Sequence, residues 1–75
     1  MKVHYISDQV NDMCESAVFL LKGSEKILLM PEAARVLVNG DSVTCIDALG
    51  ERQTIKDVRM TEANLLKHEI LLRPR

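Results

Sequence analysis

The stretch Arg35-Val36-Leu37-Val38-Asn39-Gly40-Asp41-Ser42-Val43-Thr44-Cys45 decides the fold class of this chain. Asn-Gly between two alternating apolar runs is a strong hairpin signal, because a type I′ turn needs positive φ at both central residues. Closing the turn on Asn39-Gly40 pairs Val38 with Asp41. One face of the predicted hairpin then carries Val36, Val38, Val43 and Cys45. Cys45 is therefore predicted to be a small core residue.

Glycine and proline divide the rest of the chain into further short strands. On the N-terminal side, Glu15–Lys22 and Lys26–Met30 flank a turn at Gly23. Pro31 is predicted to end the second strand, because proline cannot donate to a ladder, and Pro31–Ala34 to form a bend or one helical turn. On the C-terminal side the predicted elements are a reversal at Gly50, a strand at Gln53–Lys56, its continuation over Asp57–Ala63, a corner at Asn64–His68 and a strand at Glu69–Arg73.

These segments predict an all-β domain over residues 13–75, folded as a small antiparallel barrel of about six to seven short strands joined by hairpins. Barrel closure would remove exposed sheet edges. A helix over Thr61–Lys67 remains an alternative for that segment. Residues 1–12 are interpreted as a flexible N-terminal extension. An added strand, or a true start of translation at Met13, are the other interpretations of these residues.

Length and charge exclude several classes of function. A chain of 75 residues forms one domain, and such a monomer buries only about 60% of its unfolded surface. The formal net charge is −1, which provides no global field for steering nucleic acid. From Arg52 onward the sequence has six basic and three acidic residues. An ordinary solvated surface explains this surplus of basic residues. The aromatic residues are only Tyr5 and Phe19, too few for a base-stacking platform.

Cysteine usage and hydropathy place the protein in the cytoplasm. Two cysteines cannot build a disulfide framework and are expected to be reduced thiols. The apolar runs are short, as in Val18 to Leu21, so no membrane span is predicted. The glycines are isolated turn residues and form no phosphate-binding loop. His68 is predicted to be a surface histidine. An enzyme is therefore not expected.

The residue with the most distinctive chemistry is Cys14, which directly follows an internal methionine, Met13. If Met13 starts the protein, its removal leaves an amine, a backbone amide and a thiolate together, which suits square-planar Ni(II) or Cu(II). Two such termini in a twofold dimer could complete one site. The alternative is a thiol that merely packs at the start of a strand. Sequence spacings among Cys14, Cys45, His4 and His68 match no tetrahedral zinc site.

Four stretches resemble the CooT family, namely Met13–Lys22, Val36–Val43, Asp47–Glu51 and Asn64–Leu72. These are small nickel-binding proteins associated with carbon monoxide dehydrogenase maturation, and members are also catalogued as predicted RNA-binding proteins. The resemblance covers about residues 13–74 and implies a small all-β homodimer with Ni(II) bound at the cysteine after the initiator methionine. Here that cysteine is Cys14, but residues 1–12 separate it from the α-amine. Its thiolate and the backbone amides of Met13 and Cys14 then remain as ligands, with His4 as a conceivable substitute.

The leading hypothesis is a cytoplasmic homodimer that acts as a nickel-binding accessory protein, or metallochaperone, for a client metalloenzyme such as carbon monoxide dehydrogenase. Its predicted cofactor or cargo is Ni(II), with Cys14 and Met13 as the metal-site residues. One alternative is an RNA-binding module, since small barrels can present a binding face. The other is a protein–protein interaction domain that binds no metal.

Overall fold

The computed structural model describes residues 15–75, and all regular structure in this part is β-strand. The strands are β1 (Ser16–Lys22), β2 (Glu25–Asn39), β3 (Ser42–Asp47), β4 (Arg52–Lys56), β5 (Val58–Asn64) and β6 (Glu69–Pro74). The all-β prediction is confirmed. The helical alternative over Thr61–Lys67 is wrong, because β5 runs to Asn64 and a turn follows. Between residues 15 and 75 there is no helix long and apolar enough to cross a membrane. The extension over residues 1–12 lies outside the described residues.

The strands form one sheet in the order β4-β3-β2-β1-β6-β5. Neighbours are antiparallel except β1 and β6, which pair in parallel, so hairpins do not join all the strands as predicted. β4 and β5 lie at opposite edges, yet only Asp57 separates them, and its φ of 61° turns the chain sharply. The start of β5 approaches the β2–β3 turn, where the Val58 N–H donates to the Asp41 carbonyl (3.0 Å). No ladder joins these two strands, so the predicted barrel is an open, curled sheet.

Strand β2 continues through Pro31, where the sequence predicted an end. Its first half pairs with β1 and its second half with β3, and the two ladders meet at Ala33. Both ladders are irregular beside this residue, and neither pairs Pro31. A proline is tolerated at such a bulge because no ladder hydrogen bond is required from it. The predicted bend is thus a change of pairing partner within one long strand.

The β2–β3 hairpin is confirmed, but its turn lies one residue further along than predicted. Asn39 pairs with Ser42, so Gly40 and Asp41 are the central residues, and Val38 pairs with Val43. Only Gly40 has positive φ (62°), which matches a type II′ turn and not the predicted type I′. The observed partner of Val38 lies two residues beyond the predicted one, so each residue still faces the predicted side of the sheet.

The core lies on the concave side of the curled sheet and contains no buried polar residue among those described. Its fully buried side chains come from three strands and are Val18, Val43, Cys45 and Leu72. The prediction that Cys45 belongs to the core is confirmed. β5 was predicted as a continuation of β4, but the chain reverses at Asp57 and β5 pairs with β6 instead. The predicted corner at Asn64–His68 is confirmed as a turn.

Candidate functional site

The predicted metal-site residues, Met13 and Cys14, lie outside the described part of the chain, as does His4. Their positions relative to the sheet therefore stay predictions. The first described residue is Glu15, which is covalently bonded to Cys14 and precedes β1. The surface around Glu15 is consequently the part of the described fold nearest in sequence to the predicted ligand.

Three other segments converge on the start of β1, and we call this end of the sheet the β1 entrance. Ser16 pairs with Ala33 of β2, and Ala33 pairs in turn with Asp47 at the end of β3. On the other side of β1, the Ala17 N–H donates to the His68 carbonyl (2.8 Å). The β1 entrance thus consists of Glu15, the β2 segment at residues 31–33, the β3–β4 loop at residues 48–51 and the β5–β6 turn at residues 65–68.

A cavity of about 150 Å³ opens at the β1 entrance. It forms where β2 changes pairing partners, because the irregular ladders on both sides of Ala33 leave Met30 and Pro31 beside the β3–β4 loop. Carboxylates provide its charged lining: Glu15, Glu32 and Asp47. The remaining lining residues are Met30, Pro31, Ala48 and Leu49. The lining of the cavity therefore combines carboxylates with apolar side chains.

Asp47 shapes the loop that borders this cavity. Its Oδ1 accepts hydrogen bonds from the backbone N–H groups of Leu49 and Glu51, each at 2.9 Å. The Gly50 N–H also donates to the Asp47 carbonyl (3.0 Å), and Gly50 adopts a φ of 89°. The carboxylate of Asp47 therefore stabilises its own loop. Sequence reasoning noted this Asp-Ala-Leu-Gly-Glu stretch but not the role of the aspartate, which the short aspartate-to-glycine spacing of an Asx-type turn could have suggested.

The carboxylates of the cavity do not gather into a metal site. Within residues 15–75, no group of three His, Cys, Asp or Glu side chains is close enough to hold a metal ion. His68 is half-buried with a φ of 55°, and its described contact is the backbone bond to Ala17. The described donors therefore do not fit nickel by themselves.

Cys45 is the one described thiol, and its surroundings disfavour metal binding. It is 0% exposed and pairs with Val36 and Gln53 in the two adjoining ladders. Burial raises the pKa of the Cys45 thiol above its ordinary value, because a thiolate there would lose its hydration. The thiolate is the metal-binding form of cysteine. The structure thus assigns Cys45 to packing, as the sequence predicted.

Large apolar side chains are exposed on the two loops of the β1 entrance. Leu49 in the β3–β4 loop is 89% exposed, and Leu65 and Leu66 in the β5–β6 turn are 78% and 94% exposed. The Lys67 N–H donates to Oδ1 of Asn64 (3.1 Å), which fixes this turn and directs the two leucines away from the core. The alternation of apolar and polar residues did not predict that these leucines are exposed, because apolar residues in a turn are ordinarily candidates for the core.

Comparisons with known proteins agree with this fold. A family model described as CooT, CO dehydrogenase accessory protein, matches residues 13–73. The crystal structure of a candidate CooT protein from Carboxydothermus hydrogenoformans superposes with a TM-score of 0.74 at 21% sequence identity, covering 83% of this chain and 98% of that one. A comparison with curated proteins gave no match. The family match spans most of the chain, including Met13, Cys14 and every described strand except the end of β6. This chain therefore belongs to the CooT family of CO dehydrogenase accessory proteins.

Proposed function

We propose that this protein is a non-enzymatic accessory protein that binds Ni(II) through Cys14 and supplies it to a carbon monoxide dehydrogenase in the cytoplasm. The observation that carries the proposal is the family match over residues 13–73, which includes Cys14. The donor chemistry supports it. Cys45 is buried in the core, which leaves Cys14 as the thiol to which the proposal assigns the metal. In this role Ni(II) is the cargo of the protein.

A homodimer fits the chemistry of such a site. One Cys14 thiolate with neighbouring backbone amides, including that of Met13, leaves part of a square-planar coordination sphere open. A twofold-related copy would supply a second identical donor set. The fold also leaves apolar surface for association, since Ile27, Leu37 and Val38 are between 37% and 54% exposed. A small domain gains stability by covering such surface.

The test is a titration of Ni(II) into the metal-free full chain, followed by the thiolate-to-nickel charge-transfer absorption. We expect a band that saturates at about one nickel per two chains, that Cys14→Ser abolishes and that Cys45→Ala preserves. Acidification should remove the band, because the thiolate must be deprotonated to bind. Analytical ultracentrifugation of the same samples measures whether the loaded protein is a dimer.

A second titration uses a chain that starts at Met13. Stronger binding by this shorter chain would indicate that a free amine next to Cys14 is a ligand, and equal binding would restrict the ligands to the thiolate, backbone amides and side chains. A band that persists in Cys14→Ser would contradict the proposal, whatever its intensity in the parent.

A further inference from the structure

Two arginines face each other on the outer surface of the sheet. Arg59 of β5 pairs directly with Arg73 of β6. Side chains of paired residues point to the same side of a sheet, and neighbours along each strand point to the other side. Val58 and Leu72 are buried in the core, so Arg59 and Arg73 lie on the convex, solvent-facing side. Both arginines are exposed.

This pairing is unfavourable in the isolated protein. Like charges directly opposite one another destabilise a sheet, because their Cβ atoms are only about 5 Å apart. The ion pairs found within residues 15–75 are Lys26–Glu69 (3.5 Å) and Arg75–Asp41 (3.2 Å), and neither includes Arg59 or Arg73. Protection of an exposed sheet edge could explain a charge on β5. It does not explain Arg73, because β6 lies between β1 and β5.

An apolar row lies next to the arginine pair on the same outer face. The ladders place Leu28, Phe19 and Leu71 side by side across β2, β1 and β6. Leu28 is 52% exposed, and Phe19 and Leu71 are partly exposed. The Lys26 ammonium lies 4.4 Å from the centre of the Phe19 ring, so the exposed aromatic surface already attracts positive charge. The outer face therefore combines a cationic pair with adjoining apolar surface.

We propose that this outer face is a docking surface for an acidic, apolar segment of a partner protein. In the docked state Arg59 and Arg73 together hold one carboxylate, and an apolar side chain of the partner packs on Phe19 and Leu71. The planar guanidinium groups donate parallel hydrogen bonds to carboxylate oxygens, so a bound carboxylate relieves the repulsion between them. This inference rests on the proposed accessory role, in which the protein must contact the enzyme that it serves.

The charges of the same face favour an acidic protein segment over RNA. Glu62 pairs with Leu71 in the next row, and Glu69 lies one row further on β6. A continuous phosphate backbone crossing the arginine pair would meet these carboxylates, whereas a peptide can place single acidic residues between them. The formal net charge of −1 also provides no long-range attraction for a polyanion.

The first test is a titration of the full-length, ¹⁵N-labelled protein with a ten-residue peptide of alternating glutamate and leucine, monitored by NMR. We expect amide shifts concentrated on β5, β6 and Phe19. Arg59→Thr and Arg73→Thr should each weaken binding about tenfold, as expected for loss of a charge-assisted bond. Arg52→Thr is the matched control, because Arg52 is an exposed arginine on β4, the edge strand opposite β5, where it pairs with Ile46 of β3. This control should leave binding unchanged.

Three results would overturn the proposal. The first is that Arg52→Thr weakens peptide binding as much as Arg59→Thr does. The second is that a peptide with lysine in place of glutamate causes equal amide shifts. The third is that a single-stranded RNA octamer binds at the same residues more tightly than the acidic peptide. The nickel titration of Arg59→Thr should match that of the parent. Failure of nickel binding and failure of docking are thus measured separately.

The second test uses Arg59→Glu, which turns the repulsive pair into an attractive one. We expect its Tm to rise by about 2–6 °C, given the usual size of a cross-strand charge pair in a domain of this length, while peptide binding is lost. Unchanged or lowered Tm in a folded Arg59→Glu protein would mean that the arginines are not in conflict, and this outcome would overturn the proposal.

Discussion

The β2–β3 hairpin and the β1 entrance adjoin one another at Ala33. They differ in how far their apolar side chains are exposed to solvent. In the hairpin, Val43 and Cys45 are 0% exposed. At the β1 entrance, Leu49 and Leu66 are 89% and 94% exposed. Burial of apolar area is the main source of folding free energy. The contrast indicates that the curled core provides stability, whereas the β1 entrance is held by hydrogen bonds and keeps its apolar side chains available.

The largest expected effect comes from truncating the core. Leu72 is 0% exposed and pairs with Leu20 and Met60, so Leu72→Ala should lower the free energy of unfolding by about 2–5 kcal/mol. Leu66→Ala, at a residue that is 94% exposed, should change it by less than about 0.5 kcal/mol. Urea denaturation followed by circular dichroism measures both values. Similar destabilisation by the two substitutions would erase the contrast between the curled core, which includes Leu72, and the β1 entrance.

Where the sequence pattern was local, it predicted the fold well. Alternation around Gly40 predicted the hairpin and the inward direction of Val43 and Cys45, because a two-residue shift in pairing does not change which side a residue faces. Val38, predicted on the same face, is 54% exposed. The strand end predicted at Pro31 is wrong, because the irregular ladders there require no hydrogen bond from the proline. The parallel pairing of β1 with β6 joins segments about fifty residues apart, Ala17 with Glu69, and no local pattern reports such a pairing. The sequence also did not predict the positive φ of Asp57, because aspartate is compatible with many kinds of turn.

The β1 entrance should respond to loss of its organising carboxylate. Asp47→Ala removes the acceptor for the Leu49 and Glu51 N–H groups, and we expect a loss of about 1 kcal/mol, since these bonds are exposed to solvent. Faster hydrogen exchange at Leu49 and Glu51, with unchanged exchange in β1 and β6, is the accompanying local signature. Asp47→Asn keeps an acceptor oxygen and should retain most of the protection.

Glu32→Ala is the control for Asp47, because Glu32 lines the same cavity and no hydrogen bond of its carboxylate is found among residues 15–75. It should leave both stability and exchange unchanged. Destabilisation by Glu32→Ala equal to that of Asp47→Ala would mean that the charge of the cavity, and not the loop hydrogen bonds, maintains the β1 entrance.

The candidate site was less predictable than the fold. Sequence reasoning selected Cys14 from its position after Met13 and from the family resemblance, and both residues lie outside the described part. The sequence also showed the basic surplus after Arg52, but only the β5–β6 register places Arg59 opposite Arg73. Charge counts carry no information on pairing, so an ordinary solvated face was the natural interpretation.

The smallest expected effect is a pH dependence that belongs to the core alone. Because burial raises the pKa of Cys45 above its ordinary value of 9.0, the folded protein retains the thiol proton at pH values where the unfolded chain loses it. The stability associated with this difference is complete below about pH 9 and falls as the pH rises through the folded-state pKa. The Tm of the parent should therefore decrease more steeply above about pH 9 than that of Cys45→Ala. The two proteins differ only at residue 45, so the difference between their Tm curves reports on Cys45. Parallel Tm curves would show that the Cys45 environment is hydrated, and the sharp distinction between a dry core and an open β1 entrance would then not hold.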